Sequence, residues 1–175
     1  MTTGRLTRYD RAMVRLMNRG EGRALYASAR RRKGVVAAHV ALTAALGGLM
    51  SYLYLAQREQ YWLVAPMAAL VLPWMFCTGV INSATRGLLE LRDRALDERQ
   101  PADRARIQAL AHRAMTVVLP AAVAALLGTG AVLGSAPTAY AAPVLIAVLV
   151  THLLMPLWVA GATARDEVED DFPPA

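Results

Sequence analysis

His39 and His152 are the two imidazoles that fall inside long apolar stretches of the chain. Paired imidazoles in apolar helices raise the question of axial haem ligation. A haem needs both ligands at one level. His39 lies near the start of the first apolar stretch and His152 near the middle of the last. At about 1.5 Å per residue this offsets them by roughly 9 Å in depth. No haem is therefore expected, and each ring reads as a group hydrogen-bonded within a helical bundle. His112 lies in a charged segment between the apolar stretches. Cys77 is the single cysteine, which excludes an internal disulfide and any multi-cysteine metal site. Asn82, Ser83 and Thr85 have no histidine or acid at a useful spacing, so a hydrolase is unsupported. Ion-coupled transport places a charged group deep in a bundle, and the apolar stretches hold no Asp, Glu, Lys or Arg. Pro66, Pro73, Pro120, Pro143 and Pro156 could break helices around a substrate, yet membrane helices tolerate proline without such a role. No catalytic, cofactor-binding or metal-ligating residue is assigned.

The other chemically distinct stretch runs from Ala84 to Ala114, with seven arginines and five carboxylates between apolar blocks. Ala84, Leu88, Leu91 and Ala95 repeat at helical spacing, as do Ile107, Leu110, Ala114 and Val117. Pro101 separates the two sets; it ends one helix and suits the first turn of the next. The pattern predicts a helical hairpin over 84–113. Its seam is Leu88 and Leu91 against Ile107 and Leu110, with Leu91 near Leu110 and Leu88 near Ala114. Glu90–Arg94 and Arg94–Glu98 would pair at i, i+4, and Asp97 would lie opposite Arg104. Two readings of the outward face stand. It is a solvated, salt-bridged surface, or Leu89, Asp93, Leu96, Asp97 and Glu98 form a docking site for another protein.

The elements that carry these groups are four apolar blocks, about 35–56, 61–82, 114–134 and 141–162, each near the ~20 residues that cross a bilayer core. Their spacing predicts an all-α integral membrane protein, with four transmembrane helices in two antiparallel hairpins. Gly130-x-x-x-Gly134, together with Gly128 and Ala124, gives the third block a small-residue face for close packing. Residues 1–34 are strongly basic. Leu6, Tyr9, Met13, Leu16 and Met17 form one helical stripe, and Thr7 with Asp10 offers a capping box. This segment, Arg5 to Lys33, lies on anionic headgroups or serves only to fix orientation. A twin-arginine export signal is disfavoured, because a second span follows the first. Residues 165–175 form an acidic tail, predicted disordered. Eighteen of the nineteen basic side chains fall in the N-terminal segment, the 84–113 arm and the tail. By the positive-inside rule, both termini and the arm are cytoplasmic. The net charge of +6 then reports topology, and nucleic-acid binding is not expected.

The run from Arg86-Gly87-Leu88-Leu89 through Leu96-Asp97-Glu98-Arg99-Gln100 resembles a Leu-Asp-Glu-Arg motif of small bacterial, actinobacterial-type multi-pass membrane proteins. In those proteins the motif also sits on the cytoplasmic side between spans. Pro101 departs from the uninterrupted helix expected after it. The Arg-over-Lys, Ala-rich composition agrees with a GC-rich bacterial source. The resemblance implies a bacterial inner-membrane location and topology, and no activity. The expectation is a non-enzymatic accessory, regulatory or assembly subunit, as a single chain or a homo-oligomer, that docks a cytoplasmic or membrane partner through 84–113. A small oligomeric transporter or channel component is the alternative, with a lipid-acting enzyme behind it.

Overall fold

The computed structural model describes residues 7–17, 23–56, 60–96, 98–133 and 138–164. All regular structure among them is helical: α1 (Arg8–Met17), α2 (Arg23–Tyr26), α3 (Ala29–Ala56), α4 (Val64–Ala84), α5 (Gln100–Leu133) and α6 (Thr138–Thr163), with single 3-10 turns at Tyr61–Leu63 and Asp93–Ala95. The acidic tail, the linkers at 57–59 and 134–137, and Arg5, Leu6, Gly20, Gly22, Asp97 and Gly134 lie outside the described residues.

Four helical stretches are long and apolar enough to cross a membrane: Ala29–Ala56, Tyr61–Ala84, Gln100–Val132 and Tyr140–Thr163. They bury little against one another. Val132, Leu72, Val117, Leu153 and Leu145 are each two-thirds exposed or more. In water such surface would be untenable, whereas in lipid hydrocarbon it costs nothing, because lipid tails are as apolar as leucine. The chain is a multi-pass membrane protein. Pro73, Pro120, Pro143 and Pro156 lie inside α4, α5 and α6 without interrupting them.

Helix α3 packs along α4 and along α6, and α6 packs along α5. The spans approach closely at Gly161 of α6. A Cβ there would come within 2.8 Å of Val36 Cγ2 and 2.9 Å of Ile81 Cγ2. Only glycine lets the three helices meet at that level. Gly128 has open space around it, whereas Gly130 on the same helix is buried. The buried side chains gather near Gly161, as Val36, Ile81 and Leu157 and as Leu88, Ile107 and Ala160. This is the end of the bundle that carries the arginines. Arg32, at the start of α3, is buried and donates to the Ala164 carbonyl (2.6 Å) and the Tyr26 carbonyl (3.1 Å). Its cation thus sits on the negative end of the α6 dipole and satisfies a terminal carbonyl.

The first limb of the expected helical hairpin is absent. Helix α4 stops at Ala84, and residues 85–96 are turns and bends around one 3-10 turn. Arg86 and Gly87 both take positive φ, 52° and 69°. Gly87 N–H bonds the Asn82 carbonyl (2.8 Å) and Arg86 N–H the Ser83 carbonyl (3.1 Å), the paired bonds of a Schellman stop. The Thr85 hydroxyl, bonded to the Ile81 and Asn82 carbonyls, closes the same end. A single turn from Gly87 to Leu91 (2.8 Å) keeps helical spacing, which is enough to turn Leu88 and Leu91 inward. The i, i+4 pairs expected over 90–98 presupposed a longer helix. The second limb begins at Gln100, with Pro101 in its first turn. At 34 residues α5 rises about 51 Å, well beyond a ~30 Å hydrocarbon core.

Candidate functional site at the basic end

Arg104 organises the segment 85–99. Its Nε donates to the Leu88 carbonyl (2.8 Å), one terminal nitrogen to the Leu91 carbonyl, and the other to Asp93 Oδ1 (2.8 Å). In a continuous helix those two carbonyls would be taken by the backbone N–H groups of Arg92 and Ala95. Here Arg92 is extended (φ −72°, ψ 151°), and one guanidinium does their work. Three charge-assisted bonds from a single side chain hold the segment to α5.

Helix α1 closes the other side. Thr7 and Asp10 form the expected capping box: Thr7 N–H and hydroxyl reach Asp10 Oδ2 (2.9 and 2.7 Å), and Asp10 N–H reaches Thr7 Oγ1 (3.2 Å). The inward stripe of α1 differs from the one its apolar residues suggest. Asp10 is buried and Met13, Val14 and Met17 are half-buried, whereas Tyr9 and Leu16 are exposed. Asp10, Met13, Val14 and Met17 follow the i, i+3, i+4, i+7 rule, so a buried carboxylate replaces the aromatic at its head. Met17 abuts Gly87, where a Cβ would fall 2.7 Å from its Cγ. Arg92 lies over the Tyr9 ring at 5.2 Å, in cation–π range. Arg8, Arg11 and Arg15 remain exposed on α1.

The residues expected to dock a partner are placed as follows. Asp93 is exposed but tied to Arg104, Glu98 is exposed and Leu96 half-buried. Leu89 turns inward and packs against both core clusters, so it is not part of an outer face. Of the seam, Leu88, Leu91 and Ile107 are buried and Leu110 half-buried. Leu88 meets Ile107 and Ala160 rather than Ala114, because a compact turn carries it less far from Pro101 than a helix would.

Between the ends of α4 and α6 and the start of α5 opens a cleft of about 400 Å³. Leu88, Ile107, Leu110 and Ala160 give it an apolar floor, and Arg86, Arg99, Arg106 and Asp103 stand at its rim. Among the described residues, no group of three or more His, Cys, Asp or Glu is placed to hold a metal ion.

Deeper in the bundle, His39 is fully buried. Its Nδ1 accepts from Trp158 Nε1 (2.8 Å). Indole N–H is a donor only, which assigns the ring proton to Nε2 in the neutral imidazole. Nε2 then donates to Thr78 Oγ1 (2.9 Å), whose hydroxyl goes to the Trp74 carbonyl (3.0 Å). Trp74 Nε1 donates to Thr43 Oγ1 (2.9 Å), whose hydroxyl goes to the His39 carbonyl (2.8 Å). Each threonine passes its proton to its own helix and accepts one from a ring. The network joins α3, α4 and α6 with both imidazole nitrogens engaged, while His152 faces outward on α6. Trp158 is thus a donor in this buried network. The signal was present in sequence: His39/Thr43 and Trp74/Thr78 are both ring–threonine pairs at i, i+4, which places each pair on one helix face.

The fold and its basic end thus define a four-span helical membrane protein with an organised platform outside the apolar spans. No protein family, curated protein or solved structure matches the chain.

Proposed function

We propose that the protein is a non-enzymatic accessory or assembly subunit of a bacterial inner membrane that docks a protein partner on its basic, cytoplasmic face. The observation that carries this reading is the tethering of residues 85–99 by Arg104 to the Leu88 and Leu91 carbonyls and Asp93. Two spans can be joined by a few residues. Here the chain builds a packed platform from α1, the 85–99 segment and the start of α5, and a mere connector has no use for it. Orientation follows from the positive-inside rule: both termini and the platform face the cytoplasm, with α3–α4 and α5–α6 as antiparallel pairs.

The outward charges suited to docking are Glu90 and Glu98, both exposed. Asp93 is a poorer probe, because reversing it also strands Arg104. Affinity purification in mild detergent, read by mass spectrometry, tests the reading. Glu90→Arg plus Glu98→Arg is expected to remove a co-purifying protein while far-UV circular dichroism is unchanged. Leu91→Asp places a charge in a buried site and should lose the partner together with the platform. Retention of every partner by the double variant defeats the docking reading.

A further inference from the structure

The cleft between the ends of α4 and α6 and the start of α5 is not used by that reading. Its position, charge and floor belong together. Ala84 and Thr163–Ala164 line it, and they mark where α4 and α6 end. It therefore lies at the level where apolar helix surface gives way to charge, the level of lipid headgroups. Three arginines against one carboxylate leave it net positive, and all four groups are exposed at its mouth. A guanidinium offers five donors in a planar fork that matches phosphate oxygens. A contact within the protein does not exhaust it.

We propose that this cleft binds the headgroup of an anionic, hydroxyl-bearing phospholipid of the phosphatidylglycerol type. Arg86, Arg99 and Arg106 take the phosphate. Ile107 and Leu110 line the path of the first acyl carbons, which a soluble phosphate lacks. Acceptor atoms beside the arginines select the headgroup. Asp103 offers a carboxylate. The Thr85 hydroxyl donates to the Ile81 and Asn82 carbonyls and the Thr163 hydroxyl to the Val159 carbonyl (2.6 Å). Their oxygens are left as acceptors, for which glycerol hydroxyls are the complementary donors. A volume of about 400 Å³ is within the range of small-ligand pockets, and basic pockets between membrane helices on the cytoplasmic side suit anionic headgroups. The site is distinct from the exposed arginines of α1, and it stands whether or not the platform docks a protein.

Native mass spectrometry of the full chain in neutral detergent, titrated with dioleoylphosphatidylglycerol, tests the proposal. Wild-type protein is expected to hold one lipid saturably, and dioleoylphosphatidylcholine not at all. Arg99→Gln plus Arg106→Gln should weaken binding roughly 30-fold, the loss of two arginine–headgroup attractions. Arg8→Gln plus Arg11→Gln should leave it unchanged. Should the double variant fail to fold by circular dichroism, Arg106→Gln alone is expected to weaken binding about fivefold. Unchanged affinity in the Arg99/Arg106 variants, equal binding of phosphatidylcholine, or displacement of the lipid by equimolar inorganic phosphate would each overturn it.

Discussion

Replacing His39 and Trp158 by phenylalanine, singly and together, isolates the hydrogen bond between Trp158 of α6 and His39 of α3. His39→Phe keeps a flat ring beside Trp74, whose centroid lies 4.9 Å away, but removes the acceptor for Trp158 Nε1 and the donor to Thr78. Interhelical hydrogen bonds in membrane proteins average about 0.6 kcal/mol and reach about 1.7. Two such bonds give His39→Phe a cost of about 1–3 kcal/mol, with the orphaned indole N–H pushing toward the upper end. Trp158→Phe loses one bond and some packing. In the double variant the Trp158–His39 bond is counted once, so the two costs fall short of adding by about 0.6–1.7 kcal/mol. Trp62, 69% exposed at the far end of the bundle, provides the control: Trp62→Phe should add to His39→Phe with no coupling. The assay is titration of detergent-purified protein with dodecyl sulfate, followed by far-UV circular dichroism, which does not depend on the tryptophans being replaced. A His39–Trp158 coupling within the ~0.3–0.5 kcal/mol scatter of independent sites would refute the network as a tertiary clamp and leave His39 as packing alone.

Gly161→Ala should destabilise the bundle by about 1–3 kcal/mol through overpacking against Val36 and Ile81. Adding Val36→Ala should recover part of the loss in the same titration, whereas Gly128→Ala, facing open space, should be neutral. Arg104→Met frees the 85–99 segment, so glutamyl endopeptidase should cut after Glu90 or Glu98 at least about tenfold faster, as expected when charge-assisted bonds of about 1.5–3 kcal/mol are lost. An unchanged cleavage rate would mean that the segment is held by something other than Arg104.

Composition alone sufficed for the four apolar helices, because crossing a bilayer is a requirement on length and polarity that each segment meets by itself. The capping box of α1 was equally legible, since Thr7 and Asp10 lie three residues apart and bond within one turn. Pro101 marked the start of α5 for the same local reason. What the sequence could not decide was where chain segments meet. Leu88 and Leu91 carry helical spacing over one turn, and a longer helix was inferred from it. The stop at Arg86–Gly87 depends instead on two residues held at positive φ, one of them against Met17 of α1, and on carbonyls taken by Arg104 from the next helix. Leu89 looked like an outer stripe because the clusters that cover it reach to Val36, Leu157 and Ala160, more than fifty residues away in the chain. His39 read as a ring hydrogen-bonded within a bundle, but its partners, Thr78 of α4 and Trp158 of α6, are named only by the packed structure. The cleft likewise exists only once the ends of α4 and α6 meet the start of α5. Local bonds and segment polarity are written in adjacent residues. Packing register and polar networks are properties of surfaces assembled from distant ones, and there the tertiary structure alone decides.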